Sequence, residues 1–275
     1  MISNISIYFA VKINISFQLL HFILNIIITF VEKAYLSMSD SKKFYDEFIT
    51  YQIQSGINNR IYYLYKKTKK AGINTAHHIL EIGCGIGCLS YLLSRTIKKG
   101  KLESIDISPL SVEYAKEHIL NPQVSFTACD IMNFKPVNIP FDRVLMFDVL
   151  EHIPIELHPI LFSNIYFWMK IGAKLLINIP NPEYIEYDQK HQPELLQETD
   201  IPVLIEVLIP SLTKAGFIID KIETHSIWVK DDYIFLTILK KPEFSEIVLQ
   251  KEFGLLKRLI IRLKRLIRNI LYRYP

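Results

Sequence analysis

The sequence predicts an α/β fold: a doubly wound sheet of seven mostly parallel strands with an antiparallel last strand, preceded by helices and followed by an amphipathic helix. Two observations carry that prediction. Seven apolar, strand-like runs between Ile79 and Leu239 are interleaved with stretches of helical periodicity, which is the pattern of repeated strand–helix units. A glycine-rich run, Gly83-Cys84-Gly85-Ile86-Gly87, falls on the first strand-to-helix turn. Open sheets of this kind place their binding crevice there.

Of the 275 residues, half are hydrophobic, 22% are charged and nine are glycine. This excludes a disordered or collagen-like chain. The length suffices for one sizeable domain with attachments or for two small domains. We divide it into a leader (1–37), a main domain with an N-terminal helical cap (38–241) and a tail (242–275). In the leader, Ile13 to Val31 carries no formal charge but contains Asn14, Gln18, His21 and Asn25. Three readings stand: upstream sequence before a true start at Met38, a membrane-associated helix, or a signal peptide, the last disfavoured for want of a basic start and a small-residue cleavage site.

From Lys42 to Ala71, apolar residues such as Phe44, Phe48, Tyr51, Ile61 and Leu64 recur at helical spacing, with a break at Gly56. The strand candidates are then Ile79–Ile82, Leu102–Ile105, Val124–Thr127, Arg143–Phe147, Lys174–Ile179, Phe217–Thr224 and Ile234–Leu239. Helices are expected at Leu89–Ile97, Val112–His118, Leu157–Met169 and Val203–Ala215. The last two strands have no helix between them, which predicts an antiparallel hairpin at one edge. Asn181 to Asp200 reads as an insertion rich in Pro, Tyr, Glu and Gln.

Charge is unevenly distributed. Residues 251–275 hold eight basic groups against one acid, Glu252, whereas the other 250 residues hold 24 basic and 27 acidic groups. An acidic body with a basic tail argues against general coating of nucleic acid and for one local anionic contact. In the tail, Leu255, Leu256, Leu259, Ile260, Leu263, Leu266, Ile267, Ile270 and Leu271 describe one helical face, and Lys257, Arg258, Arg262, Lys264, Arg265 and Arg268 the other. Such a helix suits an anionic membrane surface. The competing readings are a helix docked on the main domain or on a second subunit, as in a homodimer, and a nucleic-acid contact, the last disfavoured because no recognised RNA-binding module accompanies it. We expect a cytoplasmic body held at the inner membrane face. Cys84, Cys88 and Cys129 are too few and too poorly spaced for a disulfide framework or a metal cage, so no metal is expected.

The glycine run has a partner. Asp106 follows the second strand, where a carboxylate can accept ribose hydroxyls. A dinucleotide loop would need glycine at Cys88, and a phosphate loop would need a lysine that does not follow. The spacing Glu81-Ile82-Gly83-Cys84-Gly85-Ile86-Gly87 resembles the first motif of class I S-adenosylmethionine-dependent methyltransferases, whose fold is Rossmann-like. Cys129-Asp130-Ile131 after the third strand, Phe141 to Ile153 around the fourth, Gly172 to Pro180 at the fifth and Ala215-Gly216-Phe217 extend that resemblance over about Phe44 to Lys241. The fourth motif is similar to that of ubiquinone-biosynthesis and small-molecule O-methyltransferases. The resemblance implies S-adenosyl-L-methionine as cofactor, bound by Glu81, Gly83, Cys84, Gly85, Gly87, Asp106, Ile107, Asp130, Ile131 and Asp148. For Glu81, support of the loop and direct contact with the methionine amine both stand.

Methylation of a hydroxyl is helped by a general base, and histidine is tuned to neutral pH. His152, in the run Asp148-Val149-Leu150-Glu151-His152, and His191, in the insertion, are the catalytic candidates; His225 ranks below them. Tyr184 and Tyr187 would either stack on a sugar or aromatic acceptor or cap the core. The expected activity is methyl transfer to a small-molecule, lipid-linked or glycan hydroxyl. The alternatives are a non-catalytic donor-binding scaffold, or a methyltransferase of protein or RNA.

Overall fold

The computed structural model of the chain describes residues 49–193, 196, 200–241 and 254–271. The leader 1–37, the helical reading of 42–48, and residues 242–253 and 272–275 of the tail lie outside them. The chain divides into two units, 1–241 and 242–275.

The first unit holds one sheet of seven strands: β1 (His78–Ile82), β2 (Lys101–Asp106), β3 (Val124–Ala128), β4 (Phe141–Phe147), β5 (Met169–Pro180), β6 (Ile218–His225) and β7 (Tyr233–Leu239). Their spatial order is β3-β2-β1-β4-β5-β7-β6. β1 to β5 pair in parallel, and β7 is antiparallel to both β5 and β6. The expected hairpin is therefore present, but the last strand inserts beside β5 and leaves β6 at the edge. Strand order reverses between β1 and β4, so a crevice opens at their carboxyl ends.

Residues 49–55 are helical. The further helices are α1 (Asn59–Lys70), α2 (Cys88–Ser94), α3 (Pro109–His118), α4 (His158–Trp168), α5 (Pro182–His191) and α6 (Ile205–Lys214). Local chemistry starts several of them. The Asn58 side chain accepts the Ile61 N–H at 3.0 Å, and Ser108, followed by Pro109 at the first helical position, accepts that of Ser111 at 3.2 Å. Helices cover both faces of the sheet. Leu161, Phe162 and Ile165 of α4 and Leu208 and Leu212 of α6 bury against Val144, Met146, Leu175 and Ile177. On the other face Leu64 of α1 and Leu89 and Leu93 of α2 meet Ile79, Leu145 and Leu176. Central strands buried on both faces explain their unbroken apolar runs.

Two expectations are corrected. Pro182–His191 is a helix, not an irregular insertion: the Asn181 side chain accepts the Glu183 N–H at 3.2 Å, and Pro182 occupies the first turn. Few apolar residues mark its buried face (Ile185 is buried), so its periodicity is weak. Met169 does not end a helix; it opens the 12-residue β5 and pairs with Phe141. Gly172, with φ of 81°, lets that strand bend before the regular pairing from Lys174 onward.

In the second unit, Leu255–Leu271 forms α7, a 17-residue helix. No helix of the described residues is long and apolar enough to cross a membrane.

Candidate active site

The carboxyl ends of β1, β2 and β4 meet at one cavity of about 490 Å³, within the range of small-ligand sites. The glycine loop is its floor. The N–H groups of Gly83 and Cys84 both donate to the Ile105 carbonyl, at 2.8 and 3.0 Å, which ties the loop to the end of β2. The Gly85 N–H donates to Asp106 Oδ2 at 2.7 Å, and the Ser108 N–H to Oδ1 at 2.9 Å. Gly83 adopts φ of 78°, and a Cβ there would collide with the Val149 side chain. Only glycine fits both demands.

Glu81 lies beneath this loop, 3% exposed, and Oε2 accepts the hydroxyls of Ser90 (2.5 Å) and Ser104 (2.9 Å). It thus joins β1, α2 and β2. Desolvation outweighs those two hydrogen bonds and lifts its pKa to about 7. Of the two readings, support of the loop is the one its hydrogen bonds describe, while the residue also borders the cavity. The Cys129 N–H donates to the Asp106 carbonyl at 2.8 Å, bringing the third loop beside the second. Asp130 Oδ1 accepts the Met132 N–H at 2.7 Å, and burial raises its pKa.

Across the cavity stands a second polar group. Asp148 directly follows β4 in the left-handed region, with φ of 56°, a conformation unusual for a side-chain-bearing residue and common at functional sites. It is held there by Asn178, whose carbonyl accepts its N–H (2.9 Å) and whose Nδ2 donates to its Oδ1 (2.7 Å). Arg60 Nη1 lies 3.1 Å from Asp148 Oδ2 and also donates to the Tyr233 hydroxyl at 3.1 Å. The Asp148 carboxylate raises the Arg60 pKa further above its ordinary value. Glu151 is 2% exposed; its Oε2 has no hydrogen-bond partner among the described residues, and burial, followed by the Asp148 carboxylate, pushes its pKa well up. His152 Nδ1 lies 3.2 Å from Asp200 Oδ1. Trp228 closes the rim on a loop whose Ile227, Trp228 and Val229 N–H groups all donate to the Asp232 carboxylate.

Glu81, Gly83, Cys84, Gly85, Asp106, Ile107, Asp130, Ile131, Asp148 and His152 all line the cavity. Two predicted site residues do not. Gly87 faces Ala115 and Ile119, where a Cβ would come within 2.6 Å of Ile119 Cδ1, so it serves the packing of α3 on the loop. His191 ends α5, exposed, its ring stacked on Tyr187 at 4.2 Å and its Nδ1 2.9 Å from the Tyr187 carbonyl. Helix formation turns it back on its own backbone. Tyr184 is likewise engaged, donating to the Lys230 carbonyl at 2.6 Å, and neither tyrosine borders the cavity. His225 sits behind it, between Tyr63 and Tyr233, with Nε2 2.8 Å from Asn178 Oδ1.

Sequence reasoning missed Arg60, Glu151 and Asp200 as site residues. Glu151 lay inside a quoted motif, next to His152, and an acid beside a strand end was a usable signal. Arg60 and Asp200 carry none. Among the described residues, no group of three or more His, Cys, Asp or Glu side chains could hold a metal ion.

Residues 79–172 match the family model of the methyltransferase domain. The malonyl-[acyl-carrier protein] O-methyltransferase 1 of Ilyobacter polytropus is 27% identical over 152 residues, 54% of this chain and 53% of that protein. Phosphoethanolamine N-methyltransferase 3 of Arabidopsis thaliana is 29% identical over 121 residues, 41% of this chain and 24% of that one. The chain thus spans about half the length of the first relative and about a quarter of the second. The magnesium protoporphyrin IX methyltransferase of Synechocystis PCC 6803, solved with bound S-adenosylhomocysteine, superposes with a TM-score of 0.61 at 16% identity. That match covers 74% of this chain and all of the other, and it shows a shared fold.

Proposed function

We propose that this chain, whose residues 79–172 are a methyltransferase domain of the class I S-adenosylmethionine-dependent fold, transfers a methyl group to a hydroxyl of a small-molecule acceptor. The observation that carries the proposal is one cavity with two differently built sides: a glycine loop with Asp106 and Asp130, and an opposing group of Asp148, Glu151, His152 and Arg60. The residues fit the donor. The loop has no side chain between its backbone and the cavity at Gly83 and Gly85, and two carboxylates stand at the ends of β2 and β3.

Bound S-adenosylmethionine supplies a methyl group on a positively charged sulfur. Asp106 would hold the ribose hydroxyls, Ile107 and Ile131 the faces of the adenine, and Asp130 its amino group. Orientation of two reactants in one cavity is itself a large catalytic effect. Tyr51, Gln52 and Ser55 of the N-terminal helical segment also line the cavity. His152 is the base for the acceptor hydroxyl. Relatives include an O- and an N-methyltransferase by name, and an imidazole facing a carboxyl-rich pocket favours an acceptor that must lose a proton.

Calorimetry with S-adenosylhomocysteine tests donor binding. Incubation with methyl-labelled donor and an extract of the source cell then traces the acceptor. Label in a small-molecule fraction supports the proposal, and label in protein or RNA refutes the acceptor class.

We infer further that α7 binds an anionic membrane surface. Its 17 residues carry six basic groups and no acid, opposite a face of nine leucines and isoleucines. Basic side chains near lipid each contribute about 1 kcal/mol.

A further inference from the structure

The chain beyond α5 returns to the cavity, and its hydrogen bonds show how it is held. The Ile201 N–H donates to the Glu151 carbonyl at 3.0 Å. The Gln189 side-chain amide donates to the Asp200 carbonyl at 3.3 Å. Asp200 is thus fastened between α5 and the 3-10 turn Leu150–His152 that follows β4. Its carboxylate meets His152 Nδ1 at 3.2 Å, with the two side chains only 14% and 12% exposed. Both residues line the cavity.

We propose that His152 and Asp200 form a general-base pair, with His152 the catalytic residue and Asp200 the residue that positions it. This deepens, and rests on, the reading of the chain as a hydroxyl methyltransferase. A carboxylate on Nδ1 keeps the proton on that nitrogen and leaves Nε2 as the base. It also stabilises the imidazolium that forms. As the new O–C bond forms, the C–S bond of the donor breaks with its electron pair remaining on sulfur, and the hydroxyl proton goes to Nε2.

Arg60, Asp148 and Glu151 line the same cavity as this pair. Arg60 is engaged by Asp148 at 3.1 Å. Glu151, the neighbour of His152 in the chain, is pushed toward its neutral form by burial and by the Asp148 and Asp200 carboxylates. Asp200, 3.2 Å from Nδ1, is a carboxylate placed to set the charge of the imidazole. The turn that carries His152 also carries the Glu151 carbonyl that holds the Ile201 N–H next to Asp200.

The test uses the full chain saturated with S-adenosylhomocysteine. Nitrogen-15 spectra give the tautomer and titration midpoint of His152, whose signal is assigned by its loss in His152→Gln. The wild type should show the Nδ1–H tautomer. Asp200→Asn should lower the midpoint by about 1–2 pH units, and Asp200→Glu should restore part of that shift. Transfer of label into the small-molecule fraction should fall about 100-fold or more in His152→Gln. In Asp200→Asn the acid limb of the transfer profile should move to lower pH by the same shift as the midpoint. An unchanged tautomer and midpoint in folded Asp200→Asn overturns the pair. Failure of the folded wild type to bind S-adenosylhomocysteine overturns the methyltransferase reading instead, and the two results are read independently.

Discussion

Asp106 and Gly85 are joined by a 2.7 Å hydrogen bond from the glycine N–H to Oδ2, so the acid assigned to the ribose also fastens the loop beneath the donor. Hydrogen bonds to a charged group contribute about 1.5–3 kcal/mol. Asp106→Ala should therefore weaken S-adenosylhomocysteine binding by about 10- to 100-fold, measured by calorimetry. Asp106→Asn should lose less, because one amide oxygen can still accept the Gly85 N–H. Unchanged affinity in Asp106→Ala would remove the ribose role.

Glu81 should make stability fall with rising pH. Its folded pKa of about 7 exceeds the ordinary carboxyl value of 4.5, so the folded state binds the extra proton between those values. The contribution is fully present below about pH 4.5 and is lost as pH rises through 7. A shift of this size corresponds to about 3 kcal/mol. Urea unfolding of wild type and Glu81→Gln across pH 4.5–8 should show the difference between them changing in the wild type's disfavour, then levelling above pH 7. A constant difference would show that Glu81 titrates normally.

Glu151→Gln should be at least as stable as wild type at pH 8. The wild-type carboxyl is buried and Oε2 unpartnered among the described residues, and its raised pKa again means stability lost as pH rises toward the folded value. A neutral side chain of the same shape removes that loss. Thermal unfolding at pH 6 and pH 8 checks it: the variant should gain on the wild type between the two.

Gly83→Ala meets both a backbone and a packing obstacle. The left-handed conformation costs an L-residue about 1–2 kcal/mol, and the collision with Val149 adds overpacking of about 1–3 kcal/mol. Val149→Ala in the same chain should recover the second part and leave the first. A double variant no more stable than Gly83→Ala would place the whole cost in the backbone.

Binding of α7 to vesicles should depend on anionic lipid and weaken with salt, because the Debye length shortens from about 10 Å at 0.1 M to 3 Å at 1 M. Flotation should recover chains that begin at Met1 or at Met38, and lose the Met38 form when residues 251–275 are removed. Beginning at Met38 isolates the tail from Leu19–Val31, which could bind lipid by itself. Equal recovery with and without the tail would reject it as the membrane contact.

The fold was legible because its signals are local. Each strand buried on both faces needs an apolar run, and each turn at the crevice needs its own residue types. Gly83 follows β1 directly, Asp106 closes β2 and Asp130 lies two residues past β3, and parallel pairing brings the carboxyl ends of those strands to one edge. Pro182–His191 was misread for the converse reason: with little apolar surface to bury, it writes little periodicity into the chain, although Asn181-Pro182-Glu183 spelled its start.

By itself, then, the sequence determined the seven strands, the doubly wound order of their helices, the glycine loop with its two acids and the two faces of the tail helix. Backbone propensity and burial act on neighbours along the chain, and those features need nothing else. Only the tertiary structure decided which charges meet. Arg60 reaches Asp148 because α1 packs across the sheet, and Asp200 reaches His152 because Ile201 bonds to the Glu151 carbonyl. Tertiary structure also set Gly87 against Ala115 and Ile119 instead of the cavity. A charge pair depends on distance in space and on desolvation, and both exist only once distant elements have packed together.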